Sequence, residues 1–146
     1  MLASEVKREP RQLDKELQLE GIVIRGFGRG GKQLDCPTAN IPIEAHEATL
    51  QTLSTGIYYG EARVDSSVRY PAVISIGWNP HFQNDKKTIE AHILQKFRED
   101  FYGSKLTIYV QGFLRDEHKF HSIEDLKQAI HDDIATARNL IVPVHY

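Results

Sequence analysis

The sequence predicts a mostly β fold, an antiparallel barrel or sandwich with one helix packed against it. Three observations carry this expectation. Short runs of β-branched and aromatic residues are separated by polar turns, two of those runs alternate in–out, and the clear amphipathic helix is confined to the far end of the chain. With 40% hydrophobic and 26% charged residues over 146 positions, the chain can bury one ordinary core.

In chain order, residues 1–18 are polar and interrupted by Pro10, with Leu13 and Leu17 at helical spacing, and are expected as a tail or one short helix outside the main fold. The domain proper is expected over 19–146. Ile22 to Arg25 is a short apolar run ending at glycines. Ile57 to Val64 and Tyr70 to Ile76 read as strands, and Asp65, Ser66 and Ser67 between them suit a hairpin turn. Lys87 to Leu94 alternates, with Ile89, Ala91 and Ile93 on one face and Thr88, Glu90 and His92 on the other. Lys105 to Leu114 sets Leu106, Ile108 and Val110 on one face. Ser122 and Asp125 then form a capping-box pattern ahead of a stripe of Leu126, Ile130, Ile134, Ala137 and Ile141, closed by Pro143.

Composition excludes several classes. No apolar run approaches the roughly 18–20 residues of a membrane helix, and the charged first ten residues are no secretory signal. The single cysteine, Cys36, cannot form an internal disulfide, which fits a reducing, cytoplasmic compartment. A net charge of −2 argues against a nucleic-acid binder. The expected partners are small molecules, with no nucleic acid and no membrane, and the chain is expected to act as a monomer.

The most informative stretch is Arg25-Gly26-Phe27-Gly28-Arg29-Gly30-Gly31-Lys32, which holds four of the ten glycines beside three cations. Glycine lets backbone N–H groups approach phosphate oxygens, and cations offset phosphate charge, so a polyphosphate site is the natural expectation. Gly26-x-Gly28-x-x-Gly31 fits a dinucleotide fingerprint, and Gly26 to Lys32 fits the start of a Walker A loop. Both need a helix directly afterwards. Gln33 replaces the Walker hydroxyl, and Pro37 arrives before a turn of helix could form. The likeness to an RGG-type RNA-binding segment is a single copy outside any low-complexity context.

Pro37-Thr38-Ala39-Asn40 follows. In an extended segment Thr38 and Asn40 share a face, and a hydroxyl beside an amide oxygen makes a hard, neutral pair suited to Mg²⁺. Glu90, on the polar face of an alternating strand with His92, is the candidate general base. The structural alternatives are a turn-closing Thr and Asn and a solvated strand carboxylate. His118 and His121 form an HxxH pair without the further ligands a zinc site requires.

Six blocks place these residues in a pattern. Gly26-Phe27-Gly28-Arg29-Gly30, Pro37-Thr38-Ala39-Asn40, Ser54-Thr55-Gly56-Ile57-Tyr58-Tyr59-Gly60, Ser75-Ile76-Gly77-Trp78-Asn79-Pro80, Glu90-x-His92-Ile93 and Glu99-Asp100-Phe101-Tyr102-Gly103 resemble, in order, the riboflavin kinase family of the eukaryotic, monofunctional kind. The resemblance spans about Gly21 to Ile141. It implies a compact antiparallel Greek-key β-barrel with flanking helices, including a C-terminal one, and transfer of the γ-phosphate of Mg-ATP to the terminal ribityl hydroxyl of riboflavin, giving FMN and ADP. It further implies that Gly26, Gly28, Arg29, Gly30, Lys32, Thr38 and Tyr102 border the nucleotide. Thr38 and Asn40 would hold Mg²⁺, with Zn²⁺ or Mn²⁺ as the other metals considered, and Glu90 would activate the hydroxyl. Gly112-Phe113-Leu114-Arg115 matches the family's flavin loop, making Arg115 and His118 the expected flavin contacts. Asp116 and His118 depart from the proline and basic residue of the animal enzymes. The competing reading is a non-catalytic flavin- or nucleotide-binding barrel, which would have no use for a hydroxyl-activating carboxylate.

Overall fold

The computed structural model describes residues 1–24, 38–42, 46–78, 87–95 and 103–141. Six strands, β1 (Arg11–Ile22), β2 (Thr38–Asn40), β3 (Gly56–Val64), β4 (Tyr70–Trp78), β5 (Lys87–Ile93) and β6 (Lys105–Arg115), form one antiparallel sheet in the order β1-β6-β3-β4-β5-β2. The β6-β3-β4-β5 portion is a Greek key, in which three successive strands are followed by one that returns beside the first. The sheet is not a closed ladder. Its edges meet in a single bridge, Ile24 to Asn40, where Ile24 N–H donates to the Asn40 carbonyl at 2.9 Å. The mostly β, barrel-like expectation therefore holds.

Alternation explains the core. Tyr58, Ala62, Ile74, Ile76, Ile89, Ala91, Ile93, Leu106, Ile108 and Val110 all face inward, and helix α1 (Glu47–Gln51) contributes Leu50 while Leu53 packs behind it. A fully buried isoleucine such as Ile108 stabilises by about 2–3 kcal/mol relative to exposure. The β3–β4 turn forms where the sequence places it. Asp65 takes a positive φ of 50°, Ser67 N–H donates to the Val64 carbonyl, and the Asp65 carboxylate accepts from Lys105 N–H.

Helix α2 (Ile123–Leu140) lies on the outer face of the sheet, where Ala137 and the following Ile141 meet Tyr59, Val73 and Leu114. Its predicted cap is present, with the Ser122 hydroxyl accepting from Asp125 N–H at 3.1 Å. The predicted stripe packs on the sheet through Ile134, Ala137 and Ile141, and the most deeply buried line departs from it further back. It runs through Ala129, Asp133 and Ala137, with an acid at its centre.

The expectation for residues 1–18 requires correction. Residues 11–18 belong to β1, which pairs with β6 at Arg11 and Gln12 and again from Leu17 to Ile22. A register shift between Gln12 and Leu17 breaks the two-residue period, so Leu13 and Leu17 stand at helical spacing although both pack on the core from a strand. The preceding residues strap α2. A short 3-10 turn (Ala3–Glu5) donates Ala3 N–H to the Asp125 carboxylate, and the Arg8 guanidinium donates to Asp133 and to the Ala129 carbonyl.

Candidate active site

Strand β5 runs between β2 and β4, and this arrangement assembles the candidate site. Asn40 stands directly opposite Glu90 across the β2–β5 ladder, and Thr38 stands opposite His92. On the other side Ser75 is opposite Glu90 and Val73 is opposite His92. Directly opposed antiparallel residues have Cβ atoms about 5 Å apart on one face. Asn40, Glu90 and Ser75 thus form a row across three strands, on the side of the sheet away from the Ile89, Ala91 and Ile93 core.

The row is held rigidly from beneath. Ala39, Ala91 and Ile74 are almost completely buried, so β2, β5 and β4 cannot slip without opening the core. All three are partly exposed, and the Glu90 side chain is 24% exposed. Asn40 Oδ1 is buried and has no hydrogen-bond partner among the described residues. A buried amide oxygen without a donor is costly, and a hard cation is the kind of ligand that satisfies it. The residues present therefore fit Mg²⁺ on neutral oxygens. Among the described residues, no group of three or more His, Cys, Asp or Glu side chains is gathered in the manner of a zinc centre.

His92 lies beside Glu90, its Nε2 3.6 Å from Glu90 Oε1. Burial pushes the imidazole pKa down to about 4, with the Asp133 carboxylate opposing the shift only in part. At neutral pH the ring is uncharged, so the Glu90–His92 contact is not an ion pair.

Arg115 is anchored in the protein through its guanidinium. Its guanidinium is buried at 4% exposure and donates twice to Asp133, Nε to Oδ1 and an Nη to Oδ2, both at 2.8 Å. Its remaining Nη donates to the Asp116 carbonyl, and the group lies 5.7 Å from the centre of the Phe120 ring. Arg115 is thus a clamp joining β6, α2 and the segment after β6, with three of its five N–H donors held by protein oxygens. His118 is half-buried in that same segment. Gly26, Gly28, Arg29, Gly30, Lys32 and Tyr102 lie outside the described residues, as does the side chain of Thr38.

Two residues escaped the sequence reading. Asp133 anchors both Arg8 and Arg115, and its signal was an acid in line with Ala129 and Ala137 at helical spacing. Glu117 is exposed as a residue, yet its carboxylate lies against Gly77. A Cβ at position 77 would come within 2.6 Å of Glu117 Oε1. Burial raises the Glu117 pKa, and the Arg115 charge opposes the rise. Gly77 is two residues along β4 from Ser75, which places this carboxylate next to the Asn40–Glu90–Ser75 row. A polar groove of about 420 Å³ lined by Gln12, Asp14, Glu16, Tyr59, Gln111 and Leu140 lies on the β1–β6 side and includes none of the candidate residues.

Comparison with known proteins places the chain in a family. The family model described as Flavokinase: Riboflavin kinase matches residues 13–141. A riboflavin kinase of Homo sapiens is 49% identical over 126 residues, covering 86% of this chain and 81% of the relative, and one of Pyricularia oryzae is 40% identical, covering 83% and 68%. Among solved structures, the riboflavin kinase of Trypanosoma brucei superposes with a TM-score of 0.70 at 30% identity, covering 89% of this chain and 81% of that one. A chain from Streptococcus pneumoniae described as a macrolide-efflux protein superposes with a TM-score of 0.66 at 27% identity. This chain spans 84% of its own length there, but only 38% of that protein.

Proposed function

The chain belongs to the riboflavin kinase family, and from that premise we propose how its residues carry out the reaction: Glu90 is the general base and Asn40, with Thr38, the metal-holding pair. The chain is an enzyme that phosphorylates riboflavin with ATP as co-substrate. The single observation supporting the assignment is the direct pairing of Asn40 with Glu90 across the β2–β5 ladder.

In this reading Glu90 accepts the proton of the terminal ribityl hydroxyl as that oxygen bonds to the γ-phosphorus. The bond from the γ-phosphorus to the bridging oxygen breaks, ADP leaves, and FMN is the product. Proton removal of this kind typically contributes ~10²–10⁴-fold. When bound, Mg²⁺ would offset charge on the phosphate oxygens, and Asn40 Oδ1 and Thr38 are the residues that would hold it. The glycine-rich segment from Gly26 to Lys32 and Tyr102 would border the nucleotide, and His118 would contact the flavin. A cytoplasmic monomer is part of the same reading, supported by the lone Cys36. No helix among the described residues is long and apolar enough to cross a membrane.

The test is a chromatographic assay of flavins after incubation with riboflavin, ATP and Mg²⁺, comparing the wild-type chain with Glu90→Gln. FMN formation slowed by about two orders of magnitude or more in the variant supports the base. A variant at wild-type rate removes Glu90 from the chemistry. Binding of riboflavin without any FMN from the wild type would favour the non-catalytic barrel.

A further inference from the structure

The geometry points to His92 as the positioning residue for Glu90, the imidazole N–H holding one carboxylate oxygen so that the other faces the substrate hydroxyl. The inference rests on the reading of Glu90 as the base. Its grounds are the placement of the ring and what surrounds it.

Glu90 and His92 are two residues apart on β5 and project from the same face. His92 Nε2 is 3.6 Å from Glu90 Oε1, and the residue is 7% exposed. The other ring nitrogen, Nδ1, is buried and has no partner among the described residues. A neutral imidazole carries one N–H, and a buried N–H without an acceptor costs more than a bare lone pair facing apolar surroundings. The proton therefore belongs on Nε2, where the Glu90 carboxylate can accept it. The present separation is slightly beyond hydrogen-bond length, and contacts of this kind tighten when substrate closes the site.

The ring has firm backing. Val73 is its neighbour on β4 and Thr38 its register partner on β2, while Asp133 on α2 lies close enough for its charge to act on the imidazole. Asp133 is itself fixed by Arg8 at 3.0 Å and Arg115 at 2.8 Å. A residue locked on this many sides can fix the torsion of its neighbour. Holding a reacting carboxylate in one orientation lowers the barrier without adding any contact to substrate.

The test measures kcat and KM for His92→Leu, His92→Gln and Glu90→Gln, and for the double variant Glu90→Gln with His92→Leu, by steady-state FMN formation. A urea midpoint is taken for each. His92→Leu is expected to lower kcat about tenfold while leaving KM for ATP and riboflavin unchanged, and His92→Gln, which retains an N–H donor, to recover part of the loss. In the Glu90→Gln background His92→Leu should add nothing, because a positioning residue has no effect once its target is gone. Should His92→Leu fail to fold, His92→Met replaces it. Wild-type kcat in the apolar variant, an undiminished loss in the Glu90→Gln background, or no advantage of Gln over the apolar residue would each overturn the inference. Glu90→Gln alone reports on the base assignment, so loss of that reading is visible separately.

Discussion

Asn40 and Glu90 oppose each other across β2 and β5, and the same Asn40 supplies the carbonyl that accepts Ile24 N–H at the seam of the sheet. One residue therefore serves two purposes with separate atoms. Its backbone joins the sheet edges, and its side-chain oxygen is buried without a donor among the described residues.

Replacing that oxygen should separate activity from stability. Asn40→Leu removes an unsatisfied buried acceptor while leaving the backbone bridge intact, so the fold should be unchanged or stabilised by about 1 kcal/mol. FMN formation should fall at least tenfold and recover partly as Mg²⁺ is raised. Urea unfolding together with a Mg²⁺ titration of the rate checks both halves. A strongly destabilised variant would mean that Asn40 is structural.

The Arg8–Asp133–Arg115 group should respond unequally to truncation. Removing Asp133 strands the buried Arg115 charge, and removing Arg115 leaves buried Asp133 with Arg8 on one oxygen alone, so each should cost about 3–5 kcal/mol. Arg8, whose side chain is 14% exposed, can be lost to water more cheaply, at about 1 kcal/mol. Denaturation of Asp133→Ala, Arg115→Ala and Arg8→Ala checks the order. Equal losses would contradict it.

Acid should weaken the fold through His92. Its folded pKa of about 4 lies below the ordinary value of 6.5, so the unfolded chain binds more protons between those limits and stability falls as pH drops through them. The loss from pH 7.5 to 5 attributable to this group is about 2 kcal/mol. In urea melts at the two pH values, His92→Gln should lose less than the wild type by that amount.

Two glycines should behave oppositely to alanine. At Gly60 a Cβ would strike the Tyr109 carbonyl oxygen, which is backbone, and Gly60→Ala should destabilise by about 3 kcal/mol or more. At Gly77 the obstacle is the end of the flexible Glu117 side chain, and Gly77→Ala should cost about 1 kcal/mol or less. Thermal melts of the two variants decide it.

The strands from β3 to β6 were legible in the sequence because they are runs rich in β-branched and aromatic residues bounded by polar turns, with β5 alternating clearly. Strand β1 was not, because its bulge gives Leu13 and Leu17 the spacing of a helix. The polar pair Asn40 and Glu90 was recognisable by residue type, but their direct opposition depends on β2 docking at the far edge of β5, which no local pattern encodes. The clamp of Arg115 on Asp133 was not legible, because an arginine near a loop gives no sign of an acid 18 residues later that pairs with it.

The pairing of β1 with β6, and the reach of Arg8 to Asp133 across 125 positions, have a consequence for synthesis. On the ribosome the β3–β4–β5 meander can form early, but the flank of β3 that takes β6 stays bare until β6 is made. The clamp on α2 must wait longer still. Productive folding therefore waits for β6 and α2, and until they are made the nascent chain presents an open strand edge that a chaperone could shield.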